Sequence, residues 1–253
     1  MDRRAFKVPF TLGNTPDWSC PRCKKGLLRF VDGKFHVEER KDSKDARSNE
    51  AWDPDWTVYI YSGLLQCSNS KCADFVSNSG TGGVDLDVVI GDDGEPEQTW
   101  ADFFRPKYFE PPLRIIDIPD GCPASVSDPL QESFRLFFSS PAAASNNVRI
   151  ALEALLTELG VKRFNTKNGK RIFLTLHSRI SLLPAKHSEL GQLFLAIKWL
   201  GNAGSHADSP INVDDVMDAY DLLDHALQEL YEQKAKKVNA LAKKINKKKG
   251  PKG

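Results

Sequence analysis

This chain has almost no surplus of charge: 35 Lys and Arg stand against 34 Asp and Glu, a formal net of +1. A balance this even lacks the bulk electrostatic signature of a nucleic-acid partner. No run approaches the roughly 18 uninterrupted apolar residues of a membrane-spanning helix. The start, MDRRAFKVPFTLGN, lacks the apolar stretch of a secretory signal, so a cytoplasmic protein is expected. There is no Walker-type phosphate loop and no Gly-rich dinucleotide fingerprint. Gly80–Val84 (GTGGV) holds the glycines without the lysine and following helix that a phosphate cradle needs. Nor does a paired-carboxylate or serine-triad arrangement stand out. What is present is ordinary in bulk: 253 residues, 40% hydrophobic and 27% charged, fit one or two folded domains and exclude wholesale disorder.

Five cysteines carry the first specific signal. Cys20 and Cys23 form C-x2-C within CPRCKKG, Cys67 and Cys72 form C-x4-C within CSNSKC, and Cys122 stands alone. In a reducing compartment two close pairs read as a metal site rather than as disulfides. Four thiolates suit tetrahedral zinc, and a closed four-sulfur shell leaves no open position for chemistry. Pro21 and Gly26 fit a tight knuckle, and the strand-like run TVYIYSGLLQ leads into the second pair, as in a zinc ribbon. The alternatives are free thiols or redox chemistry. Cys122, between Gly121 and Pro123, reads as an incidental loop thiol with no catalytic partner.

The pattern along the chain predicts an α+β protein: an N-terminal zinc-ribbon β domain over residues 1–95, then an all-α helical bundle. Leu27–Val31, Lys34–Glu39, Thr57–Leu65 and Val84–Ile90 combine β-branched and aromatic residues between Gly, Asn and Asp breaks. Residues 40–55 are a polar excursion between the knuckles. Residues 96–124 read as an acidic, Pro- and aromatic-rich linker. Asp85 to Glu132 holds twelve acidic residues against three basic ones, and Pro106, Pro111 and Pro112 forbid a continuous helix. Trp100, Phe103, Phe104, Tyr108 and Phe109 are expected to pack against an adjoining domain, or else to form a peptide-binding surface.

Residues 125–233 read as five helices with short joins. Asp128-Pro129-Leu130-Gln131 offers a cap, Pro at the first helical position and a Gln for a capping box. Ser140-Pro141 repeats the device, and the next helix places Val148, Ala151, Leu152, Leu155, Leu156 and Leu159 on one face before Gly160. Ile172–Leu183 reads as a third helix stopped by Pro184, and Ser188–Leu200 as a fourth. Asn212 caps a fifth, striped by Val213, Val216, Met217, Tyr220, Leu223, Leu227, Leu230 and Tyr231. The tail, 234–253, contains nine lysines, with Val238, Leu241 and Ile245 spaced to extend the last helix. It reads either as a phosphate contact or as a solvated tail. It is also opposite in charge to the acidic stretch.

The most distinctive helical segment is Lys198–His206, KWLGNAGSH. Asn202 and His206 are four apart, so a continuing helix aligns them, and such a pair suits a phosphate, a base edge or a proton near neutral pH. Equally, Gly201-Asn202 suits a C-cap and His206 suits neutralising helix-end carbonyls. Arg149 and Glu153 form another i, i+4 pair. His177 and His187 have no evident companions and read as surface or packing residues.

VRIALEALLTELG, AIKWLGNAGSH and the capped final helix resemble a bacterial domain of unknown function found alongside type I restriction endonuclease subunits, a domain commonly grouped with the HEPN superfamily of helical bundles. The Arg149–Glu153 placement and the Gly201-Asn202-x3-His206 pattern are the specific parts, and the zinc-ribbon start is similar to stand-alone members. The resemblance implies that the bundle self-associates, as a homodimer or other homo-oligomer, and that Arg149, Glu153, Asn202 and His206 belong to a binding site. Active HEPN ribonucleases resemble one another in an Arg-x4–6-His motif, but here Gly201, Leu200 and Trp199 occupy the arginine positions. Lys198 keeps a charge nearby without the guanidinium's two-pronged grip on phosphate.

Two functions follow as expectations. One is a non-catalytic recognition or adaptor protein for nucleic acid, nucleotide or a protein partner, in antiviral defence or restriction, with structural zinc. The alternative is a metal-independent endoribonuclease (toxin) using His206 with Asn202 and Lys198. The missing arginine favours the first.

Overall fold

The computed structural model describes residues 3–90, 94–203, 211–232 and 241–247. It divides into two compact units. One runs up to Arg114 and takes in Phe134–Ser139; the other comprises Ile115–Ser133 and the chain from Ser140 onward. The class is α+β, with a four-stranded antiparallel sheet in the first unit and helices in the second. No helix among the described residues is long and apolar enough to cross a membrane.

In the first unit, β1 (Leu28–Glu39), β2 (Val58–Cys67), β3 (Phe75–Ile90) and β4 (Pro96–Glu110) pair in sequence order as an antiparallel meander. A short helix, α1 (Arg4–Lys7), precedes them. The polar excursion holds α2 (Lys41–Ala46) and one 3-10 turn at Pro54–Trp56. Period-two alternation gives the sheet two unlike faces. On one, Leu28, Tyr61, Leu65, Val76, Phe104 and Phe109 are buried. Phe10 stacks on Phe30 (5.6 Å), Phe35 on Tyr61 (5.1 Å), and Trp18 meets Phe109 edge-on (5.0 Å). Trp18 Nε1 donates to the Ala5 carbonyl at 2.7 Å, satisfying the one polar atom of a buried indole. The opposite face is open.

Two stretches differ from the sequence reading. Residues 75–83, too polar and glycine-rich to read as a strand, form the first half of β3. Two of their core-facing positions, Gly80 and Gly82, carry no side chain because aromatic rings lie against them: a β-carbon at Gly80 would stand 2.9 Å from Tyr61 Cε1 and one at Gly82 2.8 Å from Phe104 Cδ1. Residues 96–110, read as a linker, form β4, and the boundary between units falls after Arg114 rather than near residue 124. Pro106 is accommodated because β4 is an edge strand. Near Pro106, Phe104 exchanges both backbone hydrogen bonds with Phe10. Of the aromatics of this segment, Phe104 and Phe109 are buried in the core of their own unit, whereas Trp100 and Tyr108 are exposed.

The second unit holds α3 (Ala124–Leu136) as far as Ser133, α4 (Pro141–Glu158), a β5–β6 hairpin (Phe164–Lys167, Lys170–Phe173), α5 (Leu176–Ile180), α6 (Gly191–Ala203) and α7 (Val213–Leu227). Ser140 caps α4, Gly160 follows it at φ +83°, and Asn212 and Asp215 complete a capping box on α7. Val148, Leu152, Leu155, Phe194, Ile197 and Leu223 are fully buried. Ser133 Oγ donates to the Ala144 carbonyl at 2.7 Å, and its single proton being so used, Tyr220 Oη donates to Ser133 at 2.6 Å.

Two helix readings are corrected. α3 begins at Ala124 and carries Pro129 inside it, so Asp128 is no cap. Starting earlier puts Val126 and Leu130, one turn apart, into the core, which outweighs the hydrogen bond that Pro129 cannot donate. The proposed helix over 172–183 is a hairpin strand followed by the five-residue α5. Asn168 and Gly169 both take positive φ (+52° and +72°), the signature of a type I′ turn.

Candidate metal centre and the bundle site

The first pair of cysteines lies on the turn that leads into β1, and the second pair spans the end of β2 and the turn before β3. Each turn closes through left-handed backbone, at Lys24 (φ +58°) and Ala73 (φ +47°), one residue after its second cysteine. Backbone bonds lock both: Lys24 N to Cys20 O at 2.9 Å, and Cys72 N and Ala73 N to Asn69 O at 2.8 and 2.9 Å. A further bond, Ser68 N to Leu27 O at 2.8 Å, ties the two turns together.

The result gathers Cys20, Cys23, Cys67 and Cys72 with all four sulfurs within 4.8 Å of one another. Cys20 and Cys72 sulfurs are 3.9 Å apart, Cys23 and Cys67 sulfurs 3.6 Å. A tetrahedron with metal–sulfur bonds of about 2.3 Å has edges of about 3.8 Å, so the spacing fits a four-sulfur metal ion. The backbone amides of Lys25 and Gly26 face the Cys23 sulfur and bring its pKa down to about 6. Burial pushes the Cys67 thiol up to about 12. Gly26, expected at the knuckle for its turn, serves differently. A β-carbon there would collide with the Cys67 sulfur and stand 2.8 Å from Asn69 N. Cys122 lies apart and half-buried, and burial with the nearby Glu158 carboxylate raises it to about 11, the reverse of an activated nucleophile.

In the bundle, Arg149 Nη2 lies 3.4 Å from Glu153 Oε1 on α4. Gly201 of α6 is buried against the Arg149 stem, and Ser145 Oγ donates to the Leu200 carbonyl at 3.2 Å. The structure thus brings Arg149 and Glu153 beside the glycine of the Gly201-Asn202 pattern. Lys198 Nζ sits 3.3 Å over the exposed Trp199 ring. Asn202 is the penultimate residue of α6, its side chain outside what the structure describes, and His206 lies outside the described residues. His177 is exposed.

Arg179, which nothing in the sequence singles out, is 3% exposed and donates to Glu153 O (2.9 Å), Thr157 Oγ1 (2.8 Å) and Val161 O (3.3 Å). It ties down the C-terminal end of α4; burial lowers its pKa. No local pattern announces it, because its acceptors are 18 to 26 residues away.

The open face of the sheet is also legible only from the pairing. One cross-strand row runs His36, Ser62, Ser79, Tyr108, and the next runs Glu38, Ile60, Thr81, Arg105. Lys34 joins His36 beside a shallow hollow over Ser62, Leu64, Ser77 and Ser79. Tyr108 is 59% and Phe75 46% exposed.

Among known proteins, no curated protein and no solved structure matches this chain. Two family models do, one for each part: residues 8–109 match a domain of unknown function, DUF8608, and residues 131–248 match a second, DUF4145.

Proposed function

We propose that this chain is a non-catalytic recognition protein for single-stranded nucleic acid, its sheet held by structural zinc. Zinc is the ion best suited to four thiolates at these spacings in a closed shell, where it stabilises the fold and has no site for substrate. The observation that carries recognition is the open sheet face. Tyr108 offers a flat ring in the same row as His36 and two serines, beside Arg105, on a scaffold made rigid by the aromatic core behind it. Bases stack on exposed aromatics without regard to sequence, while cations and hydroxyls hold phosphates and sugars. The bundle's resemblance to HEPN-type domains extends the proposal to restriction or antiviral defence, with Arg149, Glu153, Asn202 and His206 as a second contact region.

The test is fluorescence anisotropy with labelled single-stranded RNA and DNA across a salt series, beside metal analysis of the purified chain. About one zinc per molecule is expected. Binding should weaken with salt, and Tyr108→Ala should cost about 1–3 kcal/mol. Absence of binding at low salt overturns the reading. RNA cleavage that vanishes in His206→Ala would replace it with the endoribonuclease alternative.

A further inference from the structure

β3 and β4 outrun the rest of the sheet. β2 reaches β3 only as far as Gly83, so Val84–Ile90 and the facing residues 96–102 continue alone as a two-stranded arm. An isolated two-stranded ribbon is marginal in water. Register divides its residues between two faces. Leu86 pairs with Trp100, Val88 with Gln98 and Ile90 with Pro96, all on the side that continues the core face. Leu86, Val88, Ile90 and Trp100 are 49%, 60%, 71% and 44% exposed. Asp85, Asp87 and Glu97 lie on the other side.

Charge identifies what covers this face. Residues 84–102 contain seven Asp and Glu and no Lys, Arg or His. The complement is a segment both apolar and basic, and this chain carries one: residues 234–253 hold nine lysines and no acid. Within that segment residues 241–247 are helical. Leu241 and Ile245, one turn apart, are 45% and 40% exposed, with Lys243, Lys244 and Lys247 also exposed. Strand addition is the less suitable mode, since the Leu86 and Val88 amides already donate to the Asp85 and Asp87 carboxylates at 2.8 Å. We propose that the acidic arm docks the lysine-rich C-terminal helix of a second copy of this chain. Leu241 and Ile245 lie on the apolar face, and the lysines on the helix flank reach the free edge of β3, where the Asp85 and Asp87 carboxylates accept from the neighbouring amides.

Charge-swapped variants of the full chain test this by sedimentation at low salt. The arm variant is Asp85→Lys with Asp87→Lys and Glu97→Lys; the tail variant is Lys243→Glu with Lys244→Glu and Lys247→Glu. All of these positions are exposed except Asp87, which is half-buried, and circular dichroism with metal content verifies each fold. The unmodified chain should self-associate, each variant alone should associate at least about tenfold more weakly, and mixing the two variants should restore association in trans. Raising salt should weaken association in the unmodified chain. A monomeric unmodified chain overturns the proposal, whether the tail then folds back on its own arm or serves a foreign partner. Association that survives tail reversal also overturns it, whether the copies then meet arm on arm or through the bundle.

Discussion

Gly201 and Arg149 meet across α6 and α4 with no space between them: a β-carbon on residue 201 would lie 2.9 Å from Arg149 Cβ and 3.4 Å from its Cδ. The glycine lets the two helices approach and seats the Arg149 stem, leaving the guanidinium in reach of Glu153.

Gly201→Ala therefore forces the helices apart or the arginine aside, and should destabilise the bundle by about 1–3 kcal/mol in urea unfolding. Gly191→Ala at the start of the same helix is the control. Its new methyl meets nothing closer than Leu183 Cδ1 at 3.9 Å, so stability should hold or rise. Equal losses at both positions would contradict close packing at Gly201.

At the four-cysteine cluster, Gly26→Ala should weaken the zinc binding proposed for it without removing a thiol. The added carbon displaces the Cys67 sulfur or the Asn69 backbone, and retention against a chromophoric chelator should weaken by about ten- to a hundredfold. Cys67→Ser should go further and lower the melting temperature of the sheet unit.

Arg179→Lys should destabilise by about 3 kcal/mol, because an ammonium cannot reach Glu153 O, Thr157 Oγ1 and Val161 O together as the fork does. The loss should show as faster amide exchange at the end of α4. A neutral outcome would mean that the buried guanidinium is replaceable.

Asp224 gives a pH dependence of defined sign. It is half-buried, its Oδ1 has no hydrogen-bond partner among the described residues, and burial followed by Asp117, Asp221 and Glu232 raises its pKa, against a lowering bond from Gln228. A carboxyl whose pKa is raised by folding binds its proton more tightly in the native state, so its ionisation costs stability as pH rises. Asp224→Asn should be more stable than the unmodified protein at pH 7, and the advantage should disappear below about pH 4, where both states are protonated. Denaturation midpoints at the two pH values decide it.

The four-cysteine cluster and the main helices are legible because their signals are local. Two cysteine pairs, Ser140-Pro141 before α4 and Asn212 with Asp215 before α7 each declare themselves within a few residues, and a stripe at helical spacing is its own evidence for burial. The Asn168-Gly169 turn is equally local, but the helix-like apolar spacing of Ile172–Leu183 masks it. β4 was concealed by its acids and prolines, which suit an edge strand as well as they suit a linker.

The sequence alone determined an α+β chain with four paired thiols in front, helices behind, and opposite charge runs along its length. Tertiary structure decided the rest: that the four sulfurs gather within 4.8 Å of one another, that Gly82 makes room for Phe104, that Arg179 holds a helix end, and that β3 and β4 extend past their neighbours with an apolar face. Each depends on residues brought together from distant parts of the chain. Local propensity acts over a turn or a strand, whereas packing and pairing join residues whose separation no local pattern records.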